Sequence, residues 1–153
     1  MPQPSRSTEV SLTEDEVVDA VARSLKTEGW TIEKALVGNA HGIDIEATRG
    51  IRTLHIEAKG SATVKDGKRT NHHQPHCTNT GIGAIGKTVM MWRGDVEIAL
   101  ALPDDRVFRN AVASAHAGLS QLGVVVYWVA QDGKVRAAKP HATREPYKKA
   151  KAI

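Results

Sequence analysis

Two adjacent stretches near the middle of the chain alternate apolar and polar residues, and the segments around them switch to helical spacing. Ile43, Ile45 and Ala47 share one phase of the first stretch, and Leu54, Ile56 and Ala58 share one phase of the second. Side chains alternate faces along a strand, so the two runs predict the arms of a β-hairpin turning at Arg49-Gly50-Ile51-Arg52. Earlier in the chain, Thr13 and Glu16 have capping-box spacing, and Val18, Val21, Ala22 and Leu25 form an apolar stripe. They predict a helix running to about Glu28 and stopped by Gly29. Trp30 to Val37 predicts a first strand. Val96–Leu102 and Val124–Ala130 are near-continuous apolar runs, the pattern of strands covered on both faces. Between them Phe108, Ala111, Val112, Ala115, Leu119 and Leu122 recur at helical spacing, which predicts a helix capped by Asp104 and ended by Gly123.

The remaining segments are less patterned. Residues 60–80 are polar and predict a long loop. Ile82 to Arg93 predicts a helix with Ile82, Ile85 and Val89 as its core residues. Trp92, Tyr127 and Trp128 fall in expected core elements and read as packing, and Asp132-Gly133 reads as a turn. The resulting order, αβββαβαβ, is that of an α/β protein with a mixed sheet flanked by helices. At 153 residues the chain suits one domain with a proper core. It divides into a disordered lead-in at 1–11, a folded domain at 12–138 and a basic, mobile tail at 139–153.

Three residue pairs place a carboxylate two positions before a lysine: Glu57/Lys59, Asp66/Lys68 and Asp132/Lys134. The last two have glycine between the charges and read as turn chemistry. Only Glu57-Ala58-Lys59 lies on an alternating strand. His55, Glu57 and Lys59 occupy its polar face, and the hairpin brings Asp44 and Glu46 of the preceding arm to the same side. Two carboxylates beside an ammonium group suit a hard divalent cation and a water molecule better than they suit a protein interior. The bland alternative is a solvated strand surface. Glu14 shares the stripe of Val18, Val21 and Leu25, so it faces the sheet.

Charge and composition narrow the partners. A net charge of +4 and a pI near 9.3 favour a polyanion, although many basic proteins bind no nucleic acid. Aromatic residues make up only 4% of the chain, which argues against a reader that stacks single-stranded bases on a row of rings. Lys65, Lys68, Arg69 and Lys87, with Lys148, Lys149 and Lys151 of the tail, are candidates for phosphate contacts. Such contacts bring affinity and salt dependence rather than sequence choice. Cys77 is the only cysteine, so no intrachain disulfide forms and a reducing compartment is expected. No apolar run approaches the roughly 20 residues needed to cross a bilayer, and the first residues lack a signal-like apolar stretch. A cytoplasmic protein with no membrane contact is the expectation.

The order helix, strand, Gly-x-Asp strand, Glu-x-Lys strand, helix, strand resembles the PD-(D/E)XK nuclease superfamily, the restriction-endonuclease-like fold with its αβββαβ core. Small members related to Holliday-junction resolvases and Mrr-type restriction enzymes are the most similar, and the resemblance spans roughly Leu12 to Val135. It implies a metal-dependent endonuclease that hydrolyses DNA phosphodiester bonds with Mg2+, or with Mn2+ in its place. By the same resemblance Asp44 and Glu57 hold the metal, the backbone carbonyl of Ala58 is a further ligand, and Lys59 orients the attacking water or stabilises charge on the phosphate. A glutamate of the first helix often joins such a site, which makes Glu14 the fourth catalytic candidate. Cutting two strands needs two sites, so the resemblance also implies a homodimer. The sequence departs from the pattern at Ile43, where relatives carry proline. The literal Pro103-Asp104 follows the Glu-x-Lys strand and reads as a helix cap, and Gln74 stands in the expected loop where relatives place a glutamine after the lysine.

Other signals compete. A catalytically idle member of the same fold would bind DNA with the same basic surface. Gly81 to Thr88 spells the P-loop pattern GxxxxGK[ST], but a phosphate cradle needs a buried strand just before it, and Asn71 to Thr80 has no apolar run. His72, His73, His76 and Cys77 are zinc-type ligands at no familiar finger spacing, and a mobile loop near DNA is the reading preferred for them. His41 and His55 flank the carboxylates and read as strand-surface residues.

Overall fold

The capping box forms as the sequence predicts. Thr13 Oγ1 accepts the Glu16 N–H at 3.1 Å, and Glu16 Oε1 accepts the Thr13 N–H at 3.0 Å. They start helix α1 (Glu14–Thr27), whose Val17, Val18, Val21, Ala22 and Leu25 are buried. Each fully buried valine or leucine contributes roughly 1.5–3 kcal/mol, so this stripe holds the helix on the sheet. The structure, a computed structural model, describes residues 11–38 and 42–146. Expectations for residues 1–10, for His41 and for Lys148, Lys149 and Lys151 lie outside the described residues.

Strands β1 (Thr31–Ala35), β2 (Ile45–Arg49) and β3 (Arg52–Ala58) follow. The chain then forms β4 (Ala62–Lys65), β5 (Lys68–Asn71), helix α2 (Gln74–Met91), β6 (Glu97–Pro103), α3 (Arg106–Ser114), α4 (His116–Gln121), β7 (Val125–Val129) and β8 (Val135–Ala138). Six strands form one mixed sheet in the order β1-β2-β3-β6-β7-β8. Strands β3, β6 and β7 run parallel at its centre, and the outer pairings are antiparallel. Helix α1 packs on one face against Ile45, Ala47, Leu54, Ile56 and Ala58. Helices α2 to α4 cover the other face, where Phe108, Val112 and Leu119 meet Ile98, Leu100, Leu102, Val126 and Trp128. The mixed sheet with helices on both faces is the expected fold class.

Five local expectations are corrected. Residues 60–80 are not one loop. They hold the β4–β5 hairpin, turned at Asp66-Gly67 with φ of +52° and +75°, and the first turns of α2. The hairpin's apolar phase holds only Ala62 and Val64, opposite Asn71 and Arg69, an alternation too short to read as a strand. Helix α2 begins at Gln74, eight positions before Ile82, and its buried side is the small-residue set Cys77, Gly81, Ala84 and Thr88. Ile82 and Val89 are exposed and Ile85 is only partly buried. A Cβ on Gly81 would stand 3.1 Å from Ala111 Cβ, so small residues set how closely α2 approaches α3. Third, Trp92 is half exposed at the end of α2, whereas Trp128 and Tyr127 are buried. Fourth, Asp105 and not Asp104 caps α3, its Oδ1 accepting the Phe108 N–H at 3.0 Å, and the helix breaks at Ala115 before α4. Asp104 instead pairs with Arg109 and Arg136.

The fifth concerns residues 139–146, expected to be part of a mobile tail. Asn110 Nδ2 donates to the Glu145 carbonyl at 2.9 Å, and the Glu145 N–H donates to Asn110 Oδ1 at 2.7 Å. The Glu145 carboxylate receives Arg109. Glu145 thus ties the segment to α3, and the His141 ring lies 5.8 Å from that of Trp128.

Candidate active site at the end of β3

Glu57 is the pivot of the site. It sits on the second face of β3, opposite the side that Ile56 and Ala58 turn toward α1, and it is 3% exposed. The hairpin register pairs Ile45 with Ile56, so Asp44 stands opposite Glu57. Asp44 Oδ2 accepts the Ala58 N–H at 2.8 Å, which fixes the aspartate against the end of the neighbouring strand. The expected polar hairpin face exists, but α2 covers its Glu57 end. It is therefore not a solvated strand surface.

Lys59 continues the ladder one residue past β3, its N–H donating to Ala101 O at 3.1 Å. Its ammonium lies 3.6 Å from Glu57 Oε1 and 3.7 Å from Glu14 Oε1. Glu14 reaches the site because the start of α1 is pressed against the chain just after β3. A Cβ on Gly60 would stand 2.3 Å from Glu14 N and 2.7 Å from Leu12 O, so only glycine fits. The Ser61 N–H donates to the same Leu12 carbonyl at 2.7 Å and locks the approach.

Lys87 completes the cluster from α2, with Nζ 3.5 Å from Glu57 Oε1. Its expected role was a phosphate contact, and its pairing with Glu57 was not foreseen. The only sequence signal was the predicted helix from Ile82 to Arg93 that carries it. Gly81 to Thr88 lies inside α2 with helix on both sides. Its backbone N–H groups are committed to the helix, which removes the disfavoured nucleotide-cradle alternative.

The electrostatics are those of crowded carboxylates. Burial is the main cause raising the Glu57 pKa above the ordinary range; Asp44 raises it further, while Lys87 and Lys59 oppose. Burial also raises Glu14, with Lys59 opposing and Asp44 and Asp15 adding to the rise. Glu57 Oε1 has two ammonium groups at ion-pair distance but accepts no hydrogen bond. A buried carboxylate oxygen without a hydrogen bond, beside a second carboxylate, fits an added cation, and an all-oxygen donor set suits Mg2+ or Mn2+. Among the described residues no three His, Cys, Asp or Glu side chains form a metal-ligand cluster. Any metal here would rest on Asp44, Glu57 and a backbone carbonyl such as that of Ala58.

Lys59 and Glu14 also line a cleft of about 580 Å³ bounded by Thr63, Val64 and Arg69 of the hairpin and by His72 and His76. Lys65 and Lys68 are exposed at the hairpin tip. Arg69 is held by Glu16 and by the Ser11 carbonyl. The His72 and His76 rings are 4.2 Å apart. His72 Nε2 bonds Thr63 Oγ1 at 2.6 Å, and Cys77 is buried against the His72 carbonyl. Gln74 is exposed in the first turn of α2. No helix among the described residues is long and apolar enough to cross a membrane.

No protein-family model matches the chain, and no curated protein matches it. Among solved structures, an XisH family protein from Nostoc punctiforme aligns with a TM-score of 0.47 and 14% identity, covering 79% of this chain and 96% of that one.

Proposed function

We propose that the protein is a metal-dependent endonuclease that hydrolyses phosphodiester bonds of DNA, with the end of β3 as its active site. The observation that carries the reading is the buried Glu57, with Asp44 opposite it and Lys59 within 3.6 Å. This is the constellation expected of the PD-(D/E)XK superfamily, and the element order α1-β1-β2-β3-α2-β6, with β4 and β5 inserted before α2, supports the reading. Asp44, Glu57 and the Ala58 carbonyl would hold Mg2+, which supplies polarisation of the scissile phosphate and acidification of a water.

The chain's own groups do the rest. Lys59, one-quarter exposed beside two carboxylates, orients the attacking water and offsets charge growing on the phosphate. Glu14 holds Lys59 from the α1 side. Glu57, buried and sparsely hydrogen-bonded, keeps its side chain aimed where the cation binds. A homodimer would provide one such site for each strand of a duplex.

One observation favours a second reading. Lys59 and Lys87 both stand at ion-pair distance from Glu57 Oε1 and partly offset its charge. A catalytically idle member that binds DNA through its basic surface would show the same pairing. Supercoiled plasmid incubated with Mg2+ or Mn2+, with and without EDTA, separates the two. Nicking that needs metal and disappears in Asp44→Ala and Glu57→Ala supports the nuclease. Retardation of DNA on a gel with no nicking under any metal supports the idle member.

A further inference from the structure

We infer that the β4–β5 hairpin is a groove-inserting ribbon, which makes duplex DNA the substrate class of the adjacent site. The inference rests on the nuclease reading for its substrate but is tested by binding alone. The two strands form a sheet of their own, joined to the body at its base by a bridge between Ala62 and Thr13, and every residue from Thr63 to Asn71 is exposed. An isolated two-stranded ribbon is marginal in water, yet this one is clamped firmly at its base. The His72 N–H donates to Ser61 O at 2.8 Å, Ser11 Oγ bonds Asn71, and Arg69 is tied to Glu16. A rigid base under an exposed tip is the construction of a projecting contact.

The ribbon's faces are chemically distinct. Val64 pairs with Arg69, whose side chain turns toward α1, whereas Thr63 pairs with Thr70 and Lys65 with Lys68. By alternation the lysines and threonines share the opposite face. The tip carries two cations, Lys65 and Lys68, around the single carboxylate of Asp66 at the turn; on the lysine face, with hydroxyls behind the cations, it complements a phosphate-walled groove. The size agrees as well. Two strands about 4.8 Å apart and four residues long, about 13 Å, enter a major groove about 12 Å wide and 8.5 Å deep. Strand β4 begins three residues after Lys59, so the ribbon and the candidate catalytic group share one stretch of DNA.

The test is fluorescence anisotropy of the full chain in EDTA. Its probes are a labelled 20-base-pair duplex, the same strand unpaired, an RNA duplex of equal length, and the DNA duplex carrying N7-methylguanine. The DNA duplex should bind at least about tenfold tighter than the single strand or the RNA, whose major groove is too deep and narrow for entry. Methylation at N7, a major-groove atom, should weaken binding. Lys65→Ala/Lys68→Ala should weaken duplex binding roughly 30-fold at 0.15 M salt and make the salt slope shallower by about 1.8, the loss of two phosphate contacts. Lys134→Ala, in the β7–β8 turn, should change neither. Equal affinity for all probes, or wild-type affinity and slope in the double variant, overturns the inference. If the ribbon binds duplex but no metal supports cleavage, the catalytic reading falls and the ribbon stands. If cleavage persists while the double variant binds normally, the reverse holds.

Discussion

Gly60 and Glu14 touch backbone to backbone: a methyl group on Gly60 would lie 2.3 Å from the Glu14 amide nitrogen. This contact lets the first turn of α1 close over the end of β3, and it is how Glu14 comes within 3.7 Å of Lys59. Gly60→Ala must push the helix start away, because the obstructing atoms are backbone. Overpacking of this kind costs about 1–3 kcal/mol. Thermal melts should show the loss of stability, and cleavage should fall further than in Glu14→Ala, since the whole helix start moves. A Gly60→Ala protein as stable and active as wild type would contradict the packing.

The raised pKa of Glu57 makes a prediction about stability and pH. Burial and Asp44 favour its protonated form in the folded state. The folded protein therefore binds this proton more tightly than the unfolded chain. The stabilisation is fully present below the unfolded carboxyl value and is lost as pH rises through the folded one. At neutral pH, without metal, the buried Glu57 carboxyl adds less to stability than a neutral side chain of the same shape. Glu57→Gln should therefore melt higher than wild type at pH 7 in EDTA, and the gap should close as pH falls through the acid range. Denaturation curves across pH measure it, and a Gln variant less stable at pH 7 would mean that Lys59 and Lys87 overcompensate.

Asp104 and Asp105 show where reading from sequence stops. Both are acidic residues after a buried strand, and either could cap the next helix by composition. The structure gives the Phe108 N–H to Asp105 and turns Asp104 toward Arg109 and Arg136. Asp105→Ala should cost about 1 kcal/mol through the lost cap. Asp104→Ala should leave the helix start intact and loosen the anchoring of Arg109. Hydrogen exchange at the α3 amides distinguishes them: faster exchange at Phe108 is expected only in the Asp105 variant.

The same limit explains what was legible elsewhere. The capping box, the alternating hairpin arms and the two apolar strands each carry a local signal that tertiary packing reinforces. Asp44, Glu57 and Lys59 were therefore legible as one face of a sheet. The burial of that face was not, because the element covering it buries Cys77, Gly81, Ala84 and Thr88 rather than a stripe of large apolar residues. Helix α2 read as a polar loop to residue 80 and a helix from Ile82 packed by Ile82, Ile85 and Val89, so Lys87 could not be placed beside Glu57. The β4–β5 ribbon has only Ala62 and Val64 in its apolar phase, and a residue such as Gly60 reveals a close approach only once its neighbour is known.

Two lysines compete for the catalytic role, and their settings differ. Lys59 is one-quarter exposed, held on a strand end between Glu57 and Glu14, whereas Lys87 projects from a helix and is 59% exposed. A group that must meet the reacting water needs a fixed position, which favours Lys59. Lys59→Met should lower single-turnover cleavage by about 10²–10⁴-fold while leaving duplex binding within a few-fold of wild type. Lys87→Met removes a charge that opposes the Glu57 rise, so the pKa of Glu57 should climb and the acid limb of the cleavage profile should move to higher pH. Its rate well above that limb should stay within about tenfold of wild type, as expected of a group outside the proton transfer. Single-turnover rates measured across pH for both variants decide between them, and a larger loss in Lys87→Met than in Lys59→Met at high pH would transfer the catalytic role from the strand to the helix.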